Sequence, residues 1–262
     1  MTRIEKLLTE LKRKNKKALV VFLTAGYPDI KTTEKIILDI EKYADIIELG
    51  IPFSDPIADG ATIQYSSQKS LEKKINLKKI FSIVKNIRKK TDIPIVLMGY
   101  LNPIYNFGLE RFYNIAEKTG VDGVIIPDLS NEDSGIPRGG IKKLAKTYNI
   151  AFIPFIALTT ENHRAKKIAE SSTGFVYITA VTGITGARKD VSNDLIPYLT
   201  MMRKETKTPL LVGFGISKPE HIKKLKNYCD GFIVGSAVIE LIRQKKSVES
   251  FIKQLKKSIN NF

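Results

Sequence analysis

The feature that most constrains this chain is the recurrence of short, unbroken apolar runs: Leu19–Leu23, Ile46–Leu49, Ile95–Met98, Gly123–Ile126, Phe152–Ile156, Phe175–Ile178, Leu210–Val212 and Phe232–Val234. Most are rich in valine and isoleucine and have no polar face, so each must be covered on both sides, the condition of a strand in a parallel sheet. Amphipathic stretches over 31–43, 77–90, 109–118, 161–171, 218–227 and 247–258 lie between them and supply that cover. Eight strand–helix units with no break in composition predict one α/β domain over 1–262, a closed (β/α)8 TIM barrel. An open doubly wound sheet has the same alternation and stands as the alternative. Before the first run, Ile4, Leu7, Leu8 and Leu11 share one helical face, which predicts an additional N-terminal helix capping the bottom of the barrel.

Composition narrows the function classes. The formal charge is +16, yet the lysines are scattered over most predicted helices, as at Lys73, Lys74, Lys142, Lys143, Lys223 and Lys224. A phosphate-backbone reader gathers its charge on one face, so this distribution reads as a solvated surface and not as a nucleic-acid footprint. No run of about 18 apolar residues and no apolar leader are present, so neither a membrane span nor a signal peptide is expected, and the cytoplasm is the expected compartment. The lone Cys229 excludes an intrachain disulfide and a cysteine metal cluster. His163 and His221 fall near predicted helix starts among polar residues; both read as surface groups, and no metal site is expected.

In a barrel the loops after the strands meet at the C-terminal face, where such enzymes keep their chemistry. The most informative of them is ELGIPFSDPIADGATIQ, residues 48–64. Glu48 ends a strand among Ile46, Ile47, Leu49 and Ile51, which desolvates its carboxyl and raises its pKa toward the range useful for proton transfer; a rim salt bridge is the alternative. Asp59, between Ala58 and Gly60, suits a substrate N–H or, equally, a bond within its own turn. Asp55 and Asp128 read as loop-forming acids, and Met201-Met202 as helix core. Tyr177 points inward by strand position, as a pocket group or as packing with a satisfied hydroxyl. Gly213, Gly215, and Gly235 with Ser236 end adjacent strands before helices, an arrangement that lets a phosphate approach free backbone N–H groups; plain turns are the alternative.

With these residues assembled, the chain resembles the tryptophan synthase α subunit family over essentially its whole length. The matching pieces are ELGIPFSDPIADGATIQ, LMGYLNPIYNFGLERF (97–112), GVDGVIIPDL (120–129), TGITGAR (182–188), VGFGIS (212–217) and DGFIVGSA (230–237). The resemblance implies a (β/α)8 barrel that cleaves indole-3-glycerol phosphate to indole and glyceraldehyde 3-phosphate. It implies that Glu48 is the acid–base residue and that Asp59 holds the indole N–H. Phe22, Tyr100 and Ile125 would enclose the indole, Tyr177 would lie beside Glu48, and the loop carrying Thr185 would close with that of Asp59. Gly186, Gly215, Gly235 and Ser236 would take the phosphate. A β subunit in an α2β2 assembly is the implied partner; PLP would belong to that partner, with no cofactor in this chain. A stand-alone lyase and a non-catalytic activator of the β subunit are the competing readings. The chain departs from the family pattern at Ala180-Val181, where many relatives carry Ser-Arg, at Ser130, where proline is common, and in the glycine-rich stretch 134–140.

Overall fold

A computed structural model describes residues 1–129, 138–179, 194–213 and 215–260, with the side chains of 138, 139 and 260 left aside. Its strands are β1 (Ala18–Thr24), β2 (Ile46–Gly50), β3 (Ile95–Met98), β4 (Gly123–Ile125), β5 (Ala151–Phe152), β6 (Phe155–Ala157), β7 (Val176–Thr179), β8 (Leu210–Gly213) and β9 (Gly231–Val234). All pairings are parallel, in the order β5-β4-β3-β2-β1-β9-β8-β7-β6.

The two ends of that order are neighbours in the chain, and this closes the ring. β5 and β6 are halves of the expected fifth strand, separated only by Ile153 and Pro154; β5 pairs with β4 and β6 with β7. The bonds continue through the break, where the Ile153 N–H donates to the Val124 carbonyl (3.1 Å) and the Tyr177 N–H to the Pro154 carbonyl (3.0 Å). Proline has no N–H to give a ladder, so the run expected over Phe152–Ile156 divides where Pro154 falls. The sheet is thus an eight-stranded barrel in nine pieces, and the open alternative is excluded.

Alternation along the strands sorts the core into two bodies. Val20, Ile46, Val96, Ile125, Leu211 and Ile233 point into the barrel, while Leu19, Val21 and Leu23 face the surrounding helices. The N-terminal helix Arg3–Arg13 does cap the bottom: Ile4 and Leu8 are buried in the interior cluster. A reciprocal cap starts that helix, with the Glu5 N–H donating to Thr2 Oγ1 (3.2 Å) and the Thr2 N–H to Glu5 Oε2 (2.6 Å). Beside it Asp122 accepts from Arg3 Nη1 (2.7 Å), Arg88 Nη2 (2.8 Å) and the Ile95 N–H (2.8 Å).

The six expected helices appear as Ile30–Ile40, Leu77–Arg88, Leu109–Thr119, Asn162–Glu170, Pro219–Leu225 and Val248–Asn260. Helices Ala61–Glu72, Leu101–Phe107 and Arg138–Thr147 were not marked by the apolar spacing. Ala61–Glu72 buries serines (Ser66, Ser67 and Ser70), so its inner face does not read as apolar. Met202 is fully buried on the helix Leu195–Glu205, as expected.

Candidate active site

Glu48 sits in β2 at the level of Phe22 in β1 and Val96 in β3, so its side chain points into the barrel toward the C-terminal mouth. It is 1% exposed, and neither carboxyl oxygen has a hydrogen-bond partner among the described residues. Burial, and secondarily the negative charge of Asp59, pushes its pKa up to about 8. Burial thus favours the protonated form of this carboxyl. The rim salt bridge considered from sequence is not what the described residues form.

Asp59 reaches the same mouth from the β2–helix loop, held there by Tyr100. The Tyr100 hydroxyl accepts from the Ala58 N–H (3.0 Å) and donates to the Asp59 carboxylate. Burial raises the Asp59 pKa, and the Tyr100 bond partly offsets that rise. The Tyr100 phenol is itself pushed up, by burial first and by the Asp59 charge second. Tyr100 in turn is set by Asp128, whose carboxylate accepts from the Leu101 N–H (2.9 and 3.2 Å) at the start of helix Leu101–Phe107. Asp128 is thus the loop-forming acid the sequence suggested, and Asp55, which accepts from Ser54 Oγ, stays within its own exposed turn. The loop exit is anchored by Thr24 Oγ1 and Ser66 Oγ, 2.6 Å apart and buried, which tie helix Ala61–Glu72 to β1.

Aromatic side chains are prominent in the described part of the mouth. Tyr177 stacks on Phe155 (4.4 Å between centroids) and its phenol pKa is pushed well up, by burial and then by the charges of Glu48 and Asp59. These three groups therefore lie within electrostatic reach of one another. Gly213 is glycine for the sake of that ring: a Cβ there would stand 2.2 Å from the Tyr177 hydroxyl, so close approach, and not a phosphate, explains it. Phe22 lies across the end of β2, where a Cβ on Gly50 would meet its Cζ at 2.6 Å, and borders Gly235. Ile125 is fully buried in the interior cluster beneath. Phe53 tilts onto Tyr100 (5.3 Å). Phe155 and Phe53 escaped the sequence reading; alternation on either side of Pro154 is the signal for the first, and nothing local marks the second.

Gly215 has a left-handed backbone (φ +47°), and a Cβ there would meet nothing within 4 Å among the described residues. Ser236, partly exposed, begins the helix Ser236–Arg243 after Gly235, which lies against Phe22. Thr185 and Gly186, with Ala180-Val181 and Ser130, lie outside the described residues. One expectation is overturned. His163 is exposed, but His221 is a buried group (5% exposed) because it shares the inner face of its helix with Ile222 and Leu225. No cluster able to hold a metal occurs among the described residues, and no described helix is long and apolar enough to cross a membrane.

A closed parallel barrel with a buried carboxyl at its C-terminal mouth, lacking a hydrogen-bond partner among the described residues, defines a class, that of (β/α)8-barrel enzymes. The model of the family described as "Tryptophan synthase alpha chain" matches residues 8–262. The chain belongs to that family. It is 45% identical over 260 residues to the tryptophan synthase alpha chain of Caldanaerobacter subterraneus subsp. tengcongensis, covering 99% of this chain and 97% of that one. Among solved structures it resembles tryptophan synthase subunit alpha from Legionella pneumophila (32% identity, TM-score 0.90, 100% of both chains). It also resembles a chain from a study of the tryptophan synthase α2β2 complex of Pyrococcus furiosus (38% identity, TM-score 0.83, 93% of this chain and 97% of that one). The chain is accordingly a lyase subunit of tryptophan synthase, and its reaction is the cleavage of indole-3-glycerol phosphate to indole and glyceraldehyde 3-phosphate.

Proposed function

We propose that Glu48 and Asp59 are the groups through which this chain performs that cleavage. One observation carries the reading: the Glu48 carboxyl is buried at the barrel mouth and without a hydrogen-bond partner among the described residues. Leaving a buried polar group unpaired costs about 1–3 kcal/mol, a cost that persists where a ligand uses the group.

The substrate joins C3 of indole to the hydroxyl-bearing carbon of its side chain. Glu48 delivers its proton to C3, which becomes tetrahedral, and the ring nitrogen takes up positive charge as its double bond to C2 forms. Asp59 accepts a hydrogen bond from that N–H and holds the charge. The Glu48 carboxylate then removes the proton of the side-chain hydroxyl. A carbonyl forms at that carbon, the carbon–carbon bond breaks, and its electron pair restores the C2–C3 double bond and the neutral nitrogen. One proton is given and one taken, so both products leave with the enzyme unchanged.

Phe22, Tyr100, Ile125 and Tyr177 enclose the indole in this reading. Gly215, Gly235 and Ser236 take the phosphate together with Gly186, and Thr185 closes over the substrate with the Asp59 loop to exclude water. The partner is a β subunit in an α2β2 assembly, and PLP belongs to it. Support comes from the Pyrococcus furiosus neighbour and from two exposed apolar side chains near the mouth, Ile57 (78%) on the Asp59 loop and Tyr105 (56%) on the helix Leu101–Phe107. The test is indole release from indole-3-glycerol phosphate with and without added β subunit. Slow turnover that β accelerates many-fold, lost in Glu48→Gln, is expected; fast turnover indifferent to β would make the chain a stand-alone lyase.

A further inference from the structure

His221 has no part in the proton transfers above, yet it is buried beside the loop that carries Gly215. Its Nδ1 stands 3.2 Å from the Gly215 carbonyl oxygen and 3.5 Å from the Ser217 nitrogen. One ring nitrogen thus addresses both ends of the stretch Gly215–Ser217. It donates to the carbonyl when it bears hydrogen and accepts from the N–H when it does not. Between those contacts Ile216 is 2% exposed, so the stretch is pinned by a buried side chain at its centre and by the imidazole across it. Gly215, by contrast, has a left-handed conformation, and a Cβ on it would meet nothing within 4 Å among the described residues.

We propose that His221 is a positioning residue for the phosphate end of the substrate, holding the peptide groups of Gly215–Ser217 in the orientation that meets the anion. The proposal rests on the reading of Gly215 as part of the phosphate subsite. An imidazole suits the task because it can be buried on the helix face that also buries Ile222 and Leu225 while one nitrogen reaches the loop. Leucine fills similar space but leaves the Gly215 carbonyl without this partner and the turn freer to rotate. Glutamine restores an amide able to donate or accept. The effect belongs to substrate affinity and not to proton transfer, because His221 touches backbone and its element lies away from β2.

The experiment compares wild type, His221→Leu and His221→Gln in indole release with β subunit present, and in calorimetric binding of glycerol 3-phosphate. His221→Leu is expected to raise KM and weaken glycerol 3-phosphate binding about tenfold, with kcat within about twofold, and His221→Gln to recover most of the loss. Where His221→Leu does not fold, His221→Met carries the same comparison. A fourth variant, Gly215→Val, separates the two levels of the argument. Weakened binding in Gly215→Val with unchanged KM and binding in the His221 variants overturns the positioning role while leaving the phosphate subsite intact. Unchanged phosphate binding in all variants overturns the subsite reading and this proposal with it. A fall in kcat equal to the change in kcat/KM, with KM unchanged, also overturns it, since that places His221 in the chemistry.

Discussion

Among the described residues two carboxyl groups, Glu48 and Asp122, are almost wholly shielded from solvent, one at each end of the barrel, and they are treated in opposite ways. Asp122 at the bottom (5% exposed) accepts from two guanidinium groups and a backbone N–H. Glu48 at the mouth (1% exposed) accepts from none of the described residues. A buried acid with three charge-assisted or backbone donors is a structural joint, here fastening the N-terminal helix and Arg88 to the start of β4. A buried acid with none keeps its proton and waits for chemistry to use it. The lower end of the barrel holds its acid in a structural joint, and the upper end holds the acid we propose for proton transfer, as the two faces of such barrels generally divide.

Exchanging the two effects would break this contrast, and substitution is the direct way to try. Glu48→Gln is expected to lower kcat by roughly 10²–10⁴-fold in the indole-release assay while the urea midpoint does not fall. Asp122→Ala is expected to do the reverse, costing about 3–5 kcal/mol in urea unfolding because Arg88 loses its buried partner, with kcat of the folded protein preserved. A Glu48 variant that is merely unstable, or an Asp122 variant that is merely slow, would undo the division.

The pH dependence sharpens the same contrast. The Glu48 pKa rises from an ordinary 4.5 to about 8 on folding, so the folded protein binds this proton more tightly than the unfolded chain does. Its contribution is fully present below about 4.5 and is lost as pH rises through about 8, a change on the order of 4 kcal/mol. Urea unfolding of the wild type from pH 5 to 9 is expected to show that decline, and Glu48→Gln to flatten it. The smallest expected effect is that of Tyr100→Phe, which removes the bridge from Ala58 to Asp59 and costs about fivefold in kcat/KM, one ordinary hydrogen bond. A loss as large as that of Glu48→Gln would give Tyr100 a role in the chemistry itself.

Much of this was legible in the chain, for identifiable reasons. The strands could be read because parallel strands covered on both faces are apolar without interruption, and Glu48 stood out as a charge where such a strand should have none. The break at Pro154 was legible in principle from the missing N–H, but a continuous apolar run concealed it. Helix Ala61–Glu72 was hidden because small hydroxyl residues pack against β1 as closely as aliphatic ones do. His221 was misjudged because Lys223 and Lys224 lend its segment a polar look, although Ile222 and Leu225 mark the inner face. The Tyr100–Asp59 bond joins loops 41 residues apart, a contact that no local pattern records.

The divided fifth strand has a consequence beyond closing the ring. A sheet this apolar, opened flat, would offer two rows of unpaired backbone N–H and C=O groups to any chain that met it, the template on which strands stack between molecules. Because the segment around Pro154 lends one half to each neighbouring strand, the described sheet has no outermost member to offer. Resistance to edge-to-edge stacking is here a matter of topology: the strands of the described sheet can be as apolar as the core requires, because the circle leaves no edge for another molecule to extend.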